Sequence, residues 1–143
     1  MREPLVRNHP QVTQYRGGLA ETHLRTGQVY LEAGDLADTS VAWRRAIELY
    51  DGLKSLNGEQ TFFRSCCHAG LAGLAGLPGS EVPAADGQAE SDRAMSWVRR
   101  AGKLGYRNPD AYRTESALDP IRSRPDFQLL MLDLAFPADP FAR

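Results

Sequence analysis

Cys66, Cys67 and His68 stand in a row in this chain, and a thiol beside an imidazole is the pairing that cysteine nucleophiles use. On a helix, however, residues one or two apart point in different directions, so the run makes a poor dyad. Neighbouring cysteines close only a strained ring, and zinc needs further ligands that a single vicinal pair lacks. Two buried thiols on a helix is the better reading. His9, His23 and His68 include no pair at the i, i+4 spacing of a helical zinc site. Gly70, Gly73, Gly76 and Gly79 recur at every third position but lack the lysine and hydroxyl of a phosphate cradle, so they read as close helix packing or low-complexity drift. Neither a dinucleotide glycine motif nor a kinase catalytic loop is present. We expect no enzyme here, and no cofactor or metal.

Bulk composition narrows the partners. The 143 residues are 42% hydrophobic and 24% charged, enough for a core in one domain. A formal charge of −1 carries no electrostatic footprint for nucleic acid or an anionic membrane. Arginine outnumbers lysine 15 to 2, spread along the whole chain as composition bias would spread it. Arg93, Arg99, Arg100, Lys103, Arg107 and Arg113 do cluster, but Asp92 and Asp110 dilute them, and a solvated outer face explains them best. The N-terminus has no apolar signal core, and no apolar run reaches the length of a membrane span. With the unpaired thiols, this fits a reducing, cytoplasmic setting.

Positioning falls to helices. No alternating pattern is long enough for a sheet, so the class is all-α. The first helix should span about 11–33, with Val12, Tyr15, Leu19, Thr26 and Tyr30 on its apolar face. Gly34 stops it, and Asp35 with Asp38 starts the next, over about 36–53, with Leu36, Val41, Trp43, Ala46, Ile47, Tyr50 and Leu53 inward. A third helix should cover 59–76, followed by a Pro- and Gly-rich loop. The fourth should cover 89–104, with Ala94, Trp97, Val98, Ala101 and Leu104 inward. Asn108-Pro109 starts a C-terminal group of short helices, and Ser123 with Asp126 resembles a capping box before Phe127.

One phrase occurs twice. Trp43-Arg44-Arg45-Ala46 and then Leu49 return as Val98-Arg99-Arg100-Ala101 and then Leu104, 55 residues later. A repeated helical hairpin cannot bury its apolar faces alone, and stacking of neighbours does so. Gly27, Tyr30, the Gly34 turn, Trp43 and Ala46 together resemble a tetratricopeptide repeat over residues 20–53, with Thr39 and His23 as departures from its pattern. Gly70, Ala94, Val98 and Ala101 resemble a second, degenerate unit with a loop insertion at 77–88. The flanking stretches, Asn8 to Arg16 and Tyr106 to Phe127, are similar to linker and C-terminal segments of long bacterial tetratricopeptide proteins, often fused to serine/threonine kinase domains. The resulting expectation is a single domain over 1–143. A hairpin at 10–56, a second at 57–107, a cap at 108–136 and an irregular tail at 137–143 make a short tetratricopeptide-like superhelix.

That resemblance implies a non-catalytic module for protein–protein interaction, binding a peptide or helix on its concave face. In this register the face would present Glu21, Leu24, Arg25, Gln28, Leu31 and Glu32, then Arg64, Cys67, His68 and Leu71. Leu24 and Gln28 cannot form the lysine-and-asparagine clamp that family members use for chaperone tails. An alternative role is a C-terminal capping or regulatory segment of a larger kinase-like repeat protein, with no ligand of its own. The first hairpin has no earlier neighbour to cover it and is a place for self-association.

Overall fold

Asn, Asp and Gly punctuate the chain where its helices break. The computed structural model describes residues 10–135. Asn8 and His9 of the linker-like stretch, and the expected tail at 137–143, lie outside the described residues. Six α-helices follow in order: α1 (Pro10–Glu32), α2 (Leu36–Asp51), α3 (Gly58–Leu74), α4 (Gly87–Lys103), α5 (Pro109–Thr114) and α6 (Pro125–Ala135). Short 3-10 turns lie at Ala84–Asp86 and Ser116–Ile121, and no strand occurs among the described residues. No described helix is long and apolar enough to cross a membrane.

The α1–α2 turn is made as its sequence dictates. Gly34 takes φ +83°, a region that disfavours other residues, and the Asp35 carboxylate accepts from the Asp38 amide at 3.2 Å. Asn57 opens α3 with a full capping box. Its side chain accepts from the Gln60 amide at 2.8 Å, and Gln60 Oε1 accepts from the Asn57 amide at 3.0 Å. Asn108 caps α5, with Pro109 in the first turn. The pairing expected between Ser123 and Asp126 is not made. Asp126 accepts two bonds from Arg124 instead, at 2.9 and 2.8 Å, which a planar guanidinium does better than a backbone amide. The inserted loop runs over 75–86, so α4 starts at Gly87 rather than 89. It is anchored by the buried Ser80, whose hydroxyl donates to the Leu74 carbonyl at 2.8 Å and accepts from the Val82 amide at 3.2 Å.

α1 packs on α2 and α3 on α4 as two hairpins, with α3 laid against α2 between them. Trp43 makes that junction. Its indole lies between Gly27 of α1 and Gly70 of α3, and a methyl group added at either glycine would come within 2.4 Å of the ring. The indole N–H donates to the Leu24 carbonyl at 3.1 Å. Ala46, Ala94, Val98 and Ala101 are fully buried, so both copies of the repeated phrase face inward, while Arg44, Arg45, Arg99 and Arg100 face out.

Several expected inward positions face out. Tyr15, Tyr30, Val41 and Leu104 are exposed, and the buried face of α1 is Gly17, Ala20, Leu24 and Gly27 instead. Small residues win there because α1 approaches α2 closely, and a large-residue stripe would hold the two apart. Tyr30 therefore does not fill the gap between hairpins; Trp43 does.

The C-terminal cap rests on α3. Phe62 meets Tyr106 and Tyr112 with ring centroids 4.8 and 4.9 Å apart, and Tyr112 donates its hydroxyl proton to the Tyr106 carbonyl at 2.6 Å. Pro120 lies where a Cβ on Gly73 would be only 2.7 Å away. Arg122 donates to the carbonyls of Tyr112 and Glu115 and holds the cap's bend. Arg124 joins α6 to α4 through Ser91 Oγ and Asp92, at 2.7 and 2.9 Å.

Two glycine substitutions of opposite sign test this packing. Gly18→Ala, on a side of α1 with nothing within 4 Å, should raise stability by up to about 1 kcal/mol through helix propensity. Gly70→Ala should lower it by roughly 1–3 kcal/mol, because overpacking against Trp43 outweighs the same propensity gain. Trp43→Ala should cost about 3–5 kcal/mol. Urea melts of the three variants check all of these, and equal effects at Gly18 and Gly70 would contradict the wedge.

Candidate partner-binding surfaces

The side of α3 assigned to the concave face is closed. Leu24, Leu71 and Cys67 are fully buried, so none of them meets a partner. His68 is also buried, with Nδ1 2.7 Å from Glu90 Oε1 on α4. Arg64 is half-buried, paired with Asp51 of α2, and its guanidinium lies 4.3 Å over the Trp97 ring. Leu24 lies on α1, whereas Arg64, Cys67, His68 and Leu71 share a face of α3 that turns toward α4 and the end of α2. The reason is geometric: Gly70 must meet Trp43, and Phe62 and Gly73 must meet the cap, so α3 has no open side.

Of the remaining concave candidates, Glu21, Arg25, Leu31 and Glu32 are exposed and Gln28 is half-buried. Arg25 and Gln28 are already engaged by the chain itself. Glu115, at the junction of α5 and the second 3-10 turn, accepts from Arg25 Nη1 at 3.2 Å and from Gln28 Nε2 at 2.9 Å. Its carboxylate also caps the 3-10 turn at the Ala117 amide, 3.3 Å away. Arg25 in turn lies 5.3 Å over the Phe63 ring. The Arg25–Gln28 pair is thus a carboxylate receptor filled from within. Nothing in the sequence pattern flags Glu115, because its partners lie about 90 residues away.

An open surface exists on the opposite flank of the first hairpin. α1 carries two stripes. Gly17, Ala20, Leu24 and Gly27 pack inward, while Val12, Tyr15, Leu19, Thr26 and Tyr30 form the second stripe, facing away from α3. Val41 of α2 joins this second stripe. Tyr15 is 70% exposed, Val41 50% and Tyr30 37%. His23, Thr26 and Tyr30 on one side and Asp38, Val41, Ala42 and Arg45 on the other line a groove of about 290 Å³. A second hollow of about 410 Å³ lies at the other end of the hairpin, between Val12, Thr13, Arg16 and residues 52–55. Arg16 lies over Gly52 at the C-terminal end of α2, where the helix dipole favours a cation. A further apolar patch on α6 exposes Leu129 and Leu132, beside a hollow rimmed by Arg113 and Arg122.

The candidate chemical residues are buried or paired within the chain. Cys66 and Cys67 are free and fully buried, and burial pushes both thiols up, away from the thiolate that nucleophilic chemistry requires. No group of three metal-ligating side chains occurs among the described residues. In the basic cluster, Arg93, Arg99, Arg107 and Arg113 all pair with carboxylates of the chain. Burial raises the Glu90 carboxyl, but the hydrogen bond and charge of His68, with Arg93 behind, outweigh it and hold Glu90 below the ordinary carboxylate range. Asp126, bound by Arg124 and then Arg99, is held down to about 2.

Compared with protein-family models, with curated proteins and with solved structures, the chain matches none.

Two outcomes follow from these contacts. Glu115→Ala should destabilise the fold by about 1–3 kcal/mol, since it leaves a half-buried amide and a guanidinium without their acceptor. A depressed Glu90 lends stability above its unfolded pKa and loses it as pH falls through the folded value. Glu90→Gln should therefore flatten the acid limb of a plot of melting temperature against pH.

Proposed function

We propose that this protein is a non-catalytic protein-interaction module built from tetratricopeptide-like hairpins, and that it takes a partner helix on the outer flank of its first hairpin. The observation that carries this reading is the second apolar stripe of α1, exposed at Tyr15 and Tyr30, half-buried at Val12, Leu19 and Thr26, and joined by the exposed Val41. A helix laid into a groove between two helices buries such a stripe through contacts at i, i+3, i+4 and i+7. The wedge of Trp43 between Gly27 and Gly70 supports the repeat register. Buried, protonated thiols support both the absence of catalysis and a cytoplasmic setting.

A second reading draws on the filled Arg25–Gln28 receptor. A unit whose own concave side is closed by its cap suits the terminating role, and the helix on the flank is then an earlier hairpin of the same polypeptide.

Selection of helical peptides from a display library against the whole chain tests the surface. Binders should weaken at least about tenfold, or 1.4 kcal/mol, on Val41→Asp and be unmoved by Leu129→Asp. Binders insensitive to Val41→Asp but lost on Arg25→Ala would overturn the flank in favour of the concave side.

A further inference from the structure

The order of side chains along α2 names an occupant for this flank. Asp38, Val41 and Arg45 follow at spacings of three and four, so they share one helix face. Val41 stands half-exposed near the middle, and Ala42 beside it is buried. The acid and the base lie equally far, three and a half residues or about 5 Å along the axis, from the point between Val41 and Ala42. A face with its acid and base balanced about a central apolar residue is complementary to itself turned end for end.

Neither charge is well satisfied within the chain. Asp38 pairs with no cation among the described residues, and its near neighbour is another acid, Asp35, whose hydrogen bond and charge raise the Asp38 carboxyl. Among the described residues Arg45 reaches only Glu48, at 3.7 Å, and both side chains remain mostly exposed. His23, Thr26 and Tyr30 of α1 form the facing wall of the groove, so the titratable groups opposite are a histidine and a tyrosine, with no lysine, arginine or carboxylate among them. The α6 patch has no such symmetry: Arg113 and Arg122 carry the same sign, and their acids, Asp110 and Asp119, already pair with them inside the chain.

We propose that the flank is a homodimer interface, in which α2 of two copies pair antiparallel about a two-fold axis between Val41 and Ala42, with Asp38 of each facing Arg45 of the other. The proposal rests on the flank reading given above and adds the identity of the partner. Closed two-fold pairs are the commonest oligomers, because one self-complementary patch satisfies both subunits at once. Each copy lays its Val41 against the groove wall of the other, and Tyr30 borders the contact. The charge pairs set register and direction more than affinity.

Sedimentation velocity on the full chain tests it, with circular dichroism and a melt confirming that each variant is folded. Wild type should show a concentration-dependent species of twice the chain mass. Val41→Asp, Asp38→Arg and Arg45→Asp should each sediment as monomers, and Leu129→Asp should still dimerise. The decisive arm mixes the two charge variants. Asp38→Arg carries two arginines on this face and Arg45→Asp two aspartates, so an equimolar mixture should recover a 1:1 dimer that neither forms alone. A wild type that stays monomeric overturns the proposal, as does dissociation by Leu129→Asp but not Val41→Asp, or a charge mixture that fails to associate. If the wild type is monomeric while Val41-dependent peptide binding persists, only the second copy falls and the flank reading stands; loss of both removes both.

Discussion

Everything in this fold hangs on one ring seated between two missing side chains. Trp43 fills the junction of the hairpins only because Gly27 and Gly70 have no Cβ to displace it. Glycine inside a helix is unfavourable by about 1 kcal/mol relative to alanine. Here that loss is offset by burial of the largest side chain in the core and by the indole hydrogen bond to Leu24, in an interior packed too tightly to tolerate a gap. The second hairpin has Val98 where the first has Trp43, and it closes on smaller residues, Ala94 and Ala101, against α3. The two units are therefore related in pattern but not equivalent in packing.

α3 is the hub. It receives Trp43 from α2, Glu90 and Trp97 from α4, and the aromatic rings and Pro120 of the cap. A helix surrounded on all sides cannot also serve as the wall of a binding groove. The polar groups that a sequence reading assigns to recognition are accordingly used inside: His68 with Glu90, Arg64 with Asp51 and Trp97, and Arg25 and Gln28 with Glu115. What remains for partners lies at the edges of the stack.

The legible parts of the fold are those that local chemistry governs. Gly34, Asp35 and Asn108 mark helix ends, because turn conformation and capping depend on neighbouring residues alone. The inward direction of Trp43, Ala46, Val98 and Ala101 was readable from their recurrence. The faces of α1 and α3 were not. On α1 the larger residues make the more conspicuous stripe, yet the small ones are buried, since apolar periodicity reports that a face is hydrophobic and not which neighbour covers it. A family register puts Leu24 and Leu71 on the concave face, and the structure buries both, Leu24 beside Trp43 and Leu71 within α3. Arg122 and Glu115 could not be found by any local rule, because their work is to hold a tertiary bend and a distant helix.

The bond from Glu115 to Arg25 and Gln28 also changes what kind of object this array is. An open solenoid is a line: each repeat touches only its neighbours, its stability is a sum over links, and it can unzip from either end. These bonds tie the terminal cap to the first helix, so opening either end breaks contacts of both. Such a link couples the two ends of the described fold, which in a purely linear array stay independent.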